Sequence, residues 1–305
     1  MPKVAVIGSG NVGAAAGMWI AGFGIADVAL IDKNEGLAKG KAMDISDSLY
    51  ILGSNKKVAG GGFDLAQGSD IVVITAGMAR KPGMTREDLL IVNGQIVKSV
   101  LNSLPGDLND PVFICVTNPL DIMTTLIHKI MNIPENRLVG MGVNLDTSRM
   151  ANIASEESDM ARIAFSPMVL GAHGKEMLPL EDSLTVKGMD ILSNEQKKNI
   201  ARRTSKRGAE IVEAFGSGSA YVAPGAAIYQ IVKAIILDEG AILPLSVITR
   251  RLGIENAGAI GLPVKVGRNG CFAVNIDNLP GEVLEKIKKI SVEIGEMADK
   301  LISDI

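Results

Sequence analysis

The sequence predicts an α/β protein in which a doubly wound parallel sheet is followed by an α+β unit, and three observations carry that expectation. Residues 3–7, 28–31, 71–75, 112–116 and 138–141 are short runs dominated by Val, Ile and Leu with little polar alternation, the pattern of parallel strands buried on both faces. Longer stretches with apolar residues at helical spacing lie between them, residues 86–104 most clearly, and strand alternating with helix defines βαβ units. After Val143 the pattern changes. Residues 168–170 and 183–186 read as strands of antiparallel hairpins, 194–215 and 225–237 as long helices, 264–266 and 271–274 as a further hairpin around Gly267 and Gly270, and 281–302 as a closing amphipathic helix. The division is therefore placed at 1–143 and 144–305, and a chain of 305 residues is long enough for two units.

Composition narrows the classes of function. Hydrophobic residues make up 47% and charged residues 21%, which excludes a disordered chain. The net charge is −3 with no long Lys or Arg block, so a nucleic-acid backbone would find little to neutralise. The cysteines, Cys115 and Cys271, are too few for a disulfide framework and too far apart for a metal knuckle, which points to a reducing, cytoplasmic setting without a metal. Residues 12–26 are apolar enough to pass for the core of a signal peptide, but they fall short of the ~20 residues of a membrane span, and removing them would delete a glycine motif.

That motif is Gly8, Ser9, Gly10, Asn11, Val12 and Gly13, a G-x-G-x-x-G directly after the first strand and opening a helix. The glycines allow a tight turn, close approach of a pyrophosphate to backbone N–H groups, and close helix-to-strand packing, which defines a Rossmann-type dinucleotide site. The second strand ends at Asp32, at the distance where a carboxylate takes ribose hydroxyls; it would repel the extra phosphate of NADP, so NAD is favoured. Flavin nucleotides use the same fingerprint, and a glycine turn that merely packs a helix on a sheet is the bland alternative.

Acid–base chemistry near neutral pH has two candidates, His128 and His173. His128 lies within a helical stretch and reads as an ordinary helix-end residue. His173 sits in a small-residue turn, Gly171, Ala172, His173, Gly174, at a strand end. Its expected partner is Asp146, because a buried carboxylate fixes the tautomer and favours the protonated ring. Arg149 lies three residues on, on the same helix face, where it can fork onto a substrate carboxylate, although such a pair is equally compatible with a surface ion pair. A loop carrying Arg80, Lys81, Pro82, Gly83 and Arg86 follows the third strand and suggests a mobile basic cover over an anionic ligand. Asn118, held away from helical geometry by Pro119, could present its amide to a nicotinamide and a substrate.

In this order the motifs resemble the lactate and malate dehydrogenase family, from Lys3 to the C-terminal helix, and within it the malate enzymes of the lactate-dehydrogenase-like type. The resemblance implies NAD as cofactor, a homodimer or homotetramer, and reversible oxidation of (S)-malate to oxaloacetate, with another 2-hydroxy acid such as lactate, or NAD binding without turnover, as alternatives. His173 matches the proton acceptor, Asp146 its partner, Arg149 the grip on the C1 carboxylate, and Arg86 the group polarising the reacting carbonyl. Asn118 matches the amide shared by substrate and cofactor, and residues 8–13, Asp32, Asn93, Val116 and Thr117 match cofactor contacts. Arg80 matches the position where lactate enzymes usually carry Gln and malate enzymes Arg; the second carboxylate of oxaloacetate needs such a cation in a dry site. Two places are less regular. Lys265 and Cys271 stand where more uniformly apolar strand residues are expected, and the small-residue stretch 217–227 resembles a pocket-lining helix start without giving a single contact. The Gly- and Ala-rich stretch with Trp19 could pack on a partner or within the chain.

Overall fold

The computed structural model describes the chain except residues 80–82, 109, 249–251 and 275. Six parallel strands form its first half: β1 (Lys3–Ile7), β2 (Asp27–Ile31), β3 (Val58–Gly61), β4 (Ile71–Ile74), β5 (Val112–Cys115) and β6 (Leu138–Gly140), in the order β3-β2-β1-β4-β5-β6. Their registers put Val4 beside Val28 and Ile71, and Ile7 beside Ile31 and Ile74, so apolar side chains stack across the sheet. Helix α1 (Asn11–Gly22) packs with α2 (Glu35–Ile51), whereas α3 (Arg86–Asn102) packs with α4 (Leu120–Met131). Covered in this way, Ala5, Val6, Leu30, Val72, Val73 and Ile114 are fully buried, which is why their segments lack a polar face.

Helix α5 (Val143–Glu156) begins the second half, followed by β7 (Val169–Gly171), β8 (Met177–Pro179), α6 (Asn194–Phe215), α7 (Val222–Ile236), β9 (Ala241–Val247), β10 (Ile260–Gly267), β11 (Gly270–Ala273) and α8 (Gly281–Asp304). These strands pair antiparallel and continue the same sheet, because β9 meets β6 where Ser246 faces Gly140. One apolar cluster joins the parallel strands to Ile228 and Ile231 of α7 and Leu245 of β9, and a smaller one gathers Met150, Ile153, Phe165, Val169, Leu184 and Ile200.

Several expectations need correction. Residues 183–186 are not a hairpin strand: β7 pairs with β8, residues Glu181–Ser183 form a 3₁₀ turn, and Val186 makes only isolated bridges to Phe165 and Met189. The alternating pattern there reflects burial of Leu184 and Val186 beneath α6 without a ladder. Two strands carried no readable signal. In β3, Gly60 is required because a Cβ would lie 2.2 Å from the Ala38 carbonyl oxygen of α2, and the glycine erases strand character. In β9, Pro244 stands opposite Pro263, and proline ordinarily argues against a paired strand. Helix α7 begins three residues before the expected start, with Pro224 in its first turn, where its missing N–H costs nothing.

The irregular hairpin follows from alternation: Lys265 points to solvent between Ile242 and Phe272, while Cys271 is buried with Val264 and Val266. The small residues of α1 serve packing within the chain, since Gly225 of α7 sits so close to Ala15 that a Cβ would lie 2.8 Å from the Ala15 Cβ. Trp19 stacks on Phe23, which meets Tyr229 of α7.

Candidate active site

The carboxyl ends of β1, β4 and β5 present three loops stitched together by side chains. Gly8 adopts φ +102°, and a Cβ there would fall 2.5 Å from the Ala76 nitrogen; a Cβ on Gly13 would fall 2.0 Å from the Gly8 carbonyl oxygen. Both glycines are dictated by the turn. The Thr75 hydroxyl donates to the Gly8 carbonyl at 2.7 Å, and the Thr117 hydroxyl donates to the Ala76 carbonyl at 2.7 Å. Asn93 of α3 accepts the Met78 N–H at 2.7 Å and donates to the Asn118 carbonyl at 2.7 Å, which ties the β4 and β5 loops together.

The turn suits a dinucleotide. Gly10 caps α1 without a side-chain hydrogen bond and has no atom within 4 Å of where a Cβ would sit, so the first N–H groups face an open cradle with the positive end of the helix dipole behind them. The Ser9 hydroxyl is buried without a hydrogen-bond partner, and Asn11 stands exposed beside half-buried Val12. Asp32 closes the far side, its carboxylate accepting the Ser9 N–H at 2.8 Å and the Asn34 N–H at 3.0 Å, which fixes it where ribose hydroxyls would meet it. Val116 and Thr117 are buried in the loop floor. Asn118 is exposed, its side-chain amide unpaired among the described residues, at the Asn118–Pro119 bond, which is cis.

Across the sheet junction, α5 delivers two residues three positions apart to a histidine in the turn after β7. The fully buried Asp146 accepts from Arg149 Nη1 at 3.0 Å and from His173 Nδ1 at 2.6 Å. With its Nδ1–H committed, the ring leaves Nε2 free of protein partners among the described residues, and 18% of the side chain remains accessible. Burial alone pulls the imidazole down; the Asp146 carboxylate, by charge and hydrogen bond, and Asp121 outweigh it, so the net shift is upward, against Arg149. The Arg149 Nε is buried without an acceptor, leaving part of an anion-binding fork unsatisfied.

Arg86 is the first residue of α3, behind a capping box made by Thr85 and Asp88; its side chain is exposed and bonded to none of His173, Asp146 and Arg149. Arg80 lies outside the described residues. His128 bonds the Ile133 carbonyl through Nδ1 at 2.8 Å, the helix-end role expected of it. Asp121 and Ser246 form a buried pair behind His173 that sequence reasoning left unassigned, as it did Thr75. Asp121 falls within the Asn118–Pro119 motif and could have been suspected, whereas Ser246, in an apolar strand, carries no signal.

A dinucleotide turn, a histidine held by a carboxylate, and an adjacent unsatisfied arginine define an enzyme that moves a hydride and a proton on an anionic hydroxy or oxo compound. Residues 2–140 match the family model for the NAD binding domain of lactate/malate dehydrogenase, and residues 143–302 that for its alpha/beta C-terminal domain. The chain is 38% identical to a malate dehydrogenase of Chlorobium limicola over 98% of both chains. Its structure superposes on malate dehydrogenase from Plasmodium falciparum with a TM-score of 0.92 at 32% identity, covering 100% of both chains. It superposes on Cryptosporidium parvum lactate dehydrogenase, complexed with lactic acid and NAD, with 0.91 at 30% identity over 98% of both. The chain belongs to the lactate/malate dehydrogenase family and is an NAD-dependent oxidoreductase.

Proposed function

We infer that the chain catalyses the reversible oxidation of (S)-malate to oxaloacetate. The observation that carries this reading is the bonded line from Arg149 through Asp146 to His173, with its 3.0 and 2.6 Å contacts, in a chain whose glycine turn suits NAD. When bound, NAD supplies the hydride acceptor. His173 Nε2 takes the proton of the C2 hydroxyl, and Asp146 holds the tautomer and steadies the imidazolium that results. Arg149 receives the C1 carboxylate on its remaining N–H groups, which places C2 toward the nicotinamide side. Folding of the loop ahead of α3 would bring Arg86 to the C2 oxygen, where it stabilises developing charge and excludes water. At a helix N-terminus, a cation such as Arg86 gains nothing from the dipole and is better placed on an anion.

Asn118 offers its free amide to substrate and nicotinamide. Residues 8–13, Asp32, Val116 and Thr117 hold the dinucleotide, and Asn93 acts chiefly by setting the loops around it. Arg80 is assigned to the second carboxylate of the dicarboxylate. Residues 1–143 form the nucleotide-binding unit, which also lends Arg80, Arg86 and Asn118 to the substrate, and 144–305 form the catalytic and substrate unit. Exposed Tyr50 and Ile51 at the end of α2, 92% and 84% accessible, support association into a homodimer or homotetramer, and two buried free cysteines agree with work in the cytoplasm.

Initial rates of NADH oxidation with oxaloacetate and pyruvate, with NADPH as control, test the assignment together with Arg80→Gln. Wild type should prefer oxaloacetate and NADH, and Arg80→Gln should lower the oxaloacetate-to-pyruvate ratio by roughly 10²-fold or more, since an unpaired substrate carboxylate in a closed site costs several kcal/mol. A wild-type preference for pyruvate would assign the protein to a different 2-hydroxy acid, and a ratio that Arg80→Gln leaves unchanged would remove Arg80 from the second carboxylate.

A further inference from the structure

Behind the imidazole lies a second buried carboxylate that the reaction above leaves unused. Asp121, in the first turn of α4, is 5% exposed; its Oδ2 accepts the His173 backbone N–H at 2.8 Å and its Oδ1 accepts the Ser246 hydroxyl at 2.5 Å. Three elements meet on this group: α4 brings the carboxylate, the turn after β7 the histidine, and β9 the serine. The serine is fully buried, and Gly140 of β6 packs against it so closely that a Cβ there would lie 2.9 Å from the Ser246 Cβ.

An amide oxygen would accept the same N–H without burying a charge, and a buried carboxylate costs several kcal/mol unless a countercharge and hydrogen bonds offset it. Among the described residues no Lys or Arg pairs with Asp121, and the charges acting on it are those of His173 and Asp146. Beside the positive end of the α4 dipole, in whose first turn Asp121 sits, the full countercharge that favours burying a carboxylate here is the imidazolium. We propose that Asp121 is a second positioning carboxylate for His173, anchoring its main chain while lending its charge to the protonated ring, with Ser246 holding it in place. This rests on the reaction inferred above.

Facing His173 are Asp146 and Arg149 from α5 and Asp121 from α4; facing Asp121 are Asp146 and, from β5, the Cys115 thiol, which burial pushes up to about 12. Burial pushes the Asp121 carboxyl up to about 6 even though the Ser246 hydrogen bond and the His173 charge oppose it, so the group is largely ionised at neutral pH.

Asp121→Asn keeps the acceptor for the His173 N–H and removes the charge. With two histidines in the chain, NMR titration of their ring resonances reads His173 directly, a His128→Gln variant identifying the other signal. Asp121→Asn should lower the His173 midpoint by about one pH unit. The pH at which kcat/KM for oxaloacetate reduction declines should move down with it. Ser246→Ala, a milder change, removes a hydrogen bond that favours ionised Asp121; Asp121 then takes up its proton at higher pH, and the His173 midpoint should fall in the same direction by less. If Asp121→Asn does not fold, Ser246→Ala carries the test alone. A folded variant whose His173 midpoint stays at the wild-type value overturns the proposal and leaves Asp121 an anchor only. The titration is read without substrate, so a wild-type protein inactive on every 2-oxo acid would overturn the assigned reaction separately.

Discussion

His173→Asn is expected to lower kcat for malate oxidation and oxaloacetate reduction by roughly 10²- to 10⁴-fold, the range that positioned acid–base groups contribute. Asparagine can still bond Asp146 but cannot carry a proton at neutral pH. NADH binding, measured by fluorescence titration, should be unchanged, because the turn of residues 8–13 and Asp32 makes no hydrogen bond to His173. The pH dependence should change in form as well. In wild type, oxaloacetate reduction needs the imidazolium and declines as pH rises through the His173 midpoint, which the two carboxylates hold above the ordinary histidine value although burial opposes them. Malate oxidation needs the neutral ring and rises over the same interval. Both inflections should vanish in the variant, and a profile that keeps them would assign the proton to another group.

Removal of Arg149 should have a comparable effect by another route. Arg149→Met leaves one Asp146 oxygen without its 3.0 Å donor and the substrate carboxylate without its fork. Breaking one partner of a buried charged pair costs about 2–5 kcal/mol, a fall in kcat/KM of roughly 30- to several-thousand-fold. Arg149→Lys keeps the charge but supplies neither the planar fork nor the donor geometry, so it should recover little of the loss. A lysine variant close to wild type would show that Arg149 acts as a simple counterion rather than a bidentate grip. Steady-state kinetics with oxaloacetate, alongside circular dichroism to establish folding, separates these cases.

Much of this site was legible because its chemistry requires particular residue types at local spacing. Gly8 and Gly13 are demanded by backbone contacts under 3 Å, Asp32 by the strand end that precedes it, and Asp146 with Arg149 by one helix face. Juxtapositions across distant segments were not legible from spacing. Asp146 was expected beside His173 from chemistry rather than separation, but nothing places Ser246 of β9 on Asp121 of α4, because that meeting depends on β9 joining the sheet beside β6. The same limit hid β9 itself, whose proline is tolerated by an antiparallel register that sets it opposite Pro263. Burial without pairing misled in the other direction, giving residues 183–186 the pattern of a strand where Leu184 and Val186 merely seal the smaller core.

The reaction assigned to this site transfers a hydride from C2 of a hydroxy dicarboxylate to the cofactor while His173 takes the hydroxyl proton. Incubating the protein with NAD and malate deuterated at C2, followed by mass spectrometry of the reduced nucleotide, tests it directly. One deuterium in each NADH formed, with formation suppressed in His173→Asn, is the expected result. NADH free of deuterium, or formed equally well without His173, would contradict it.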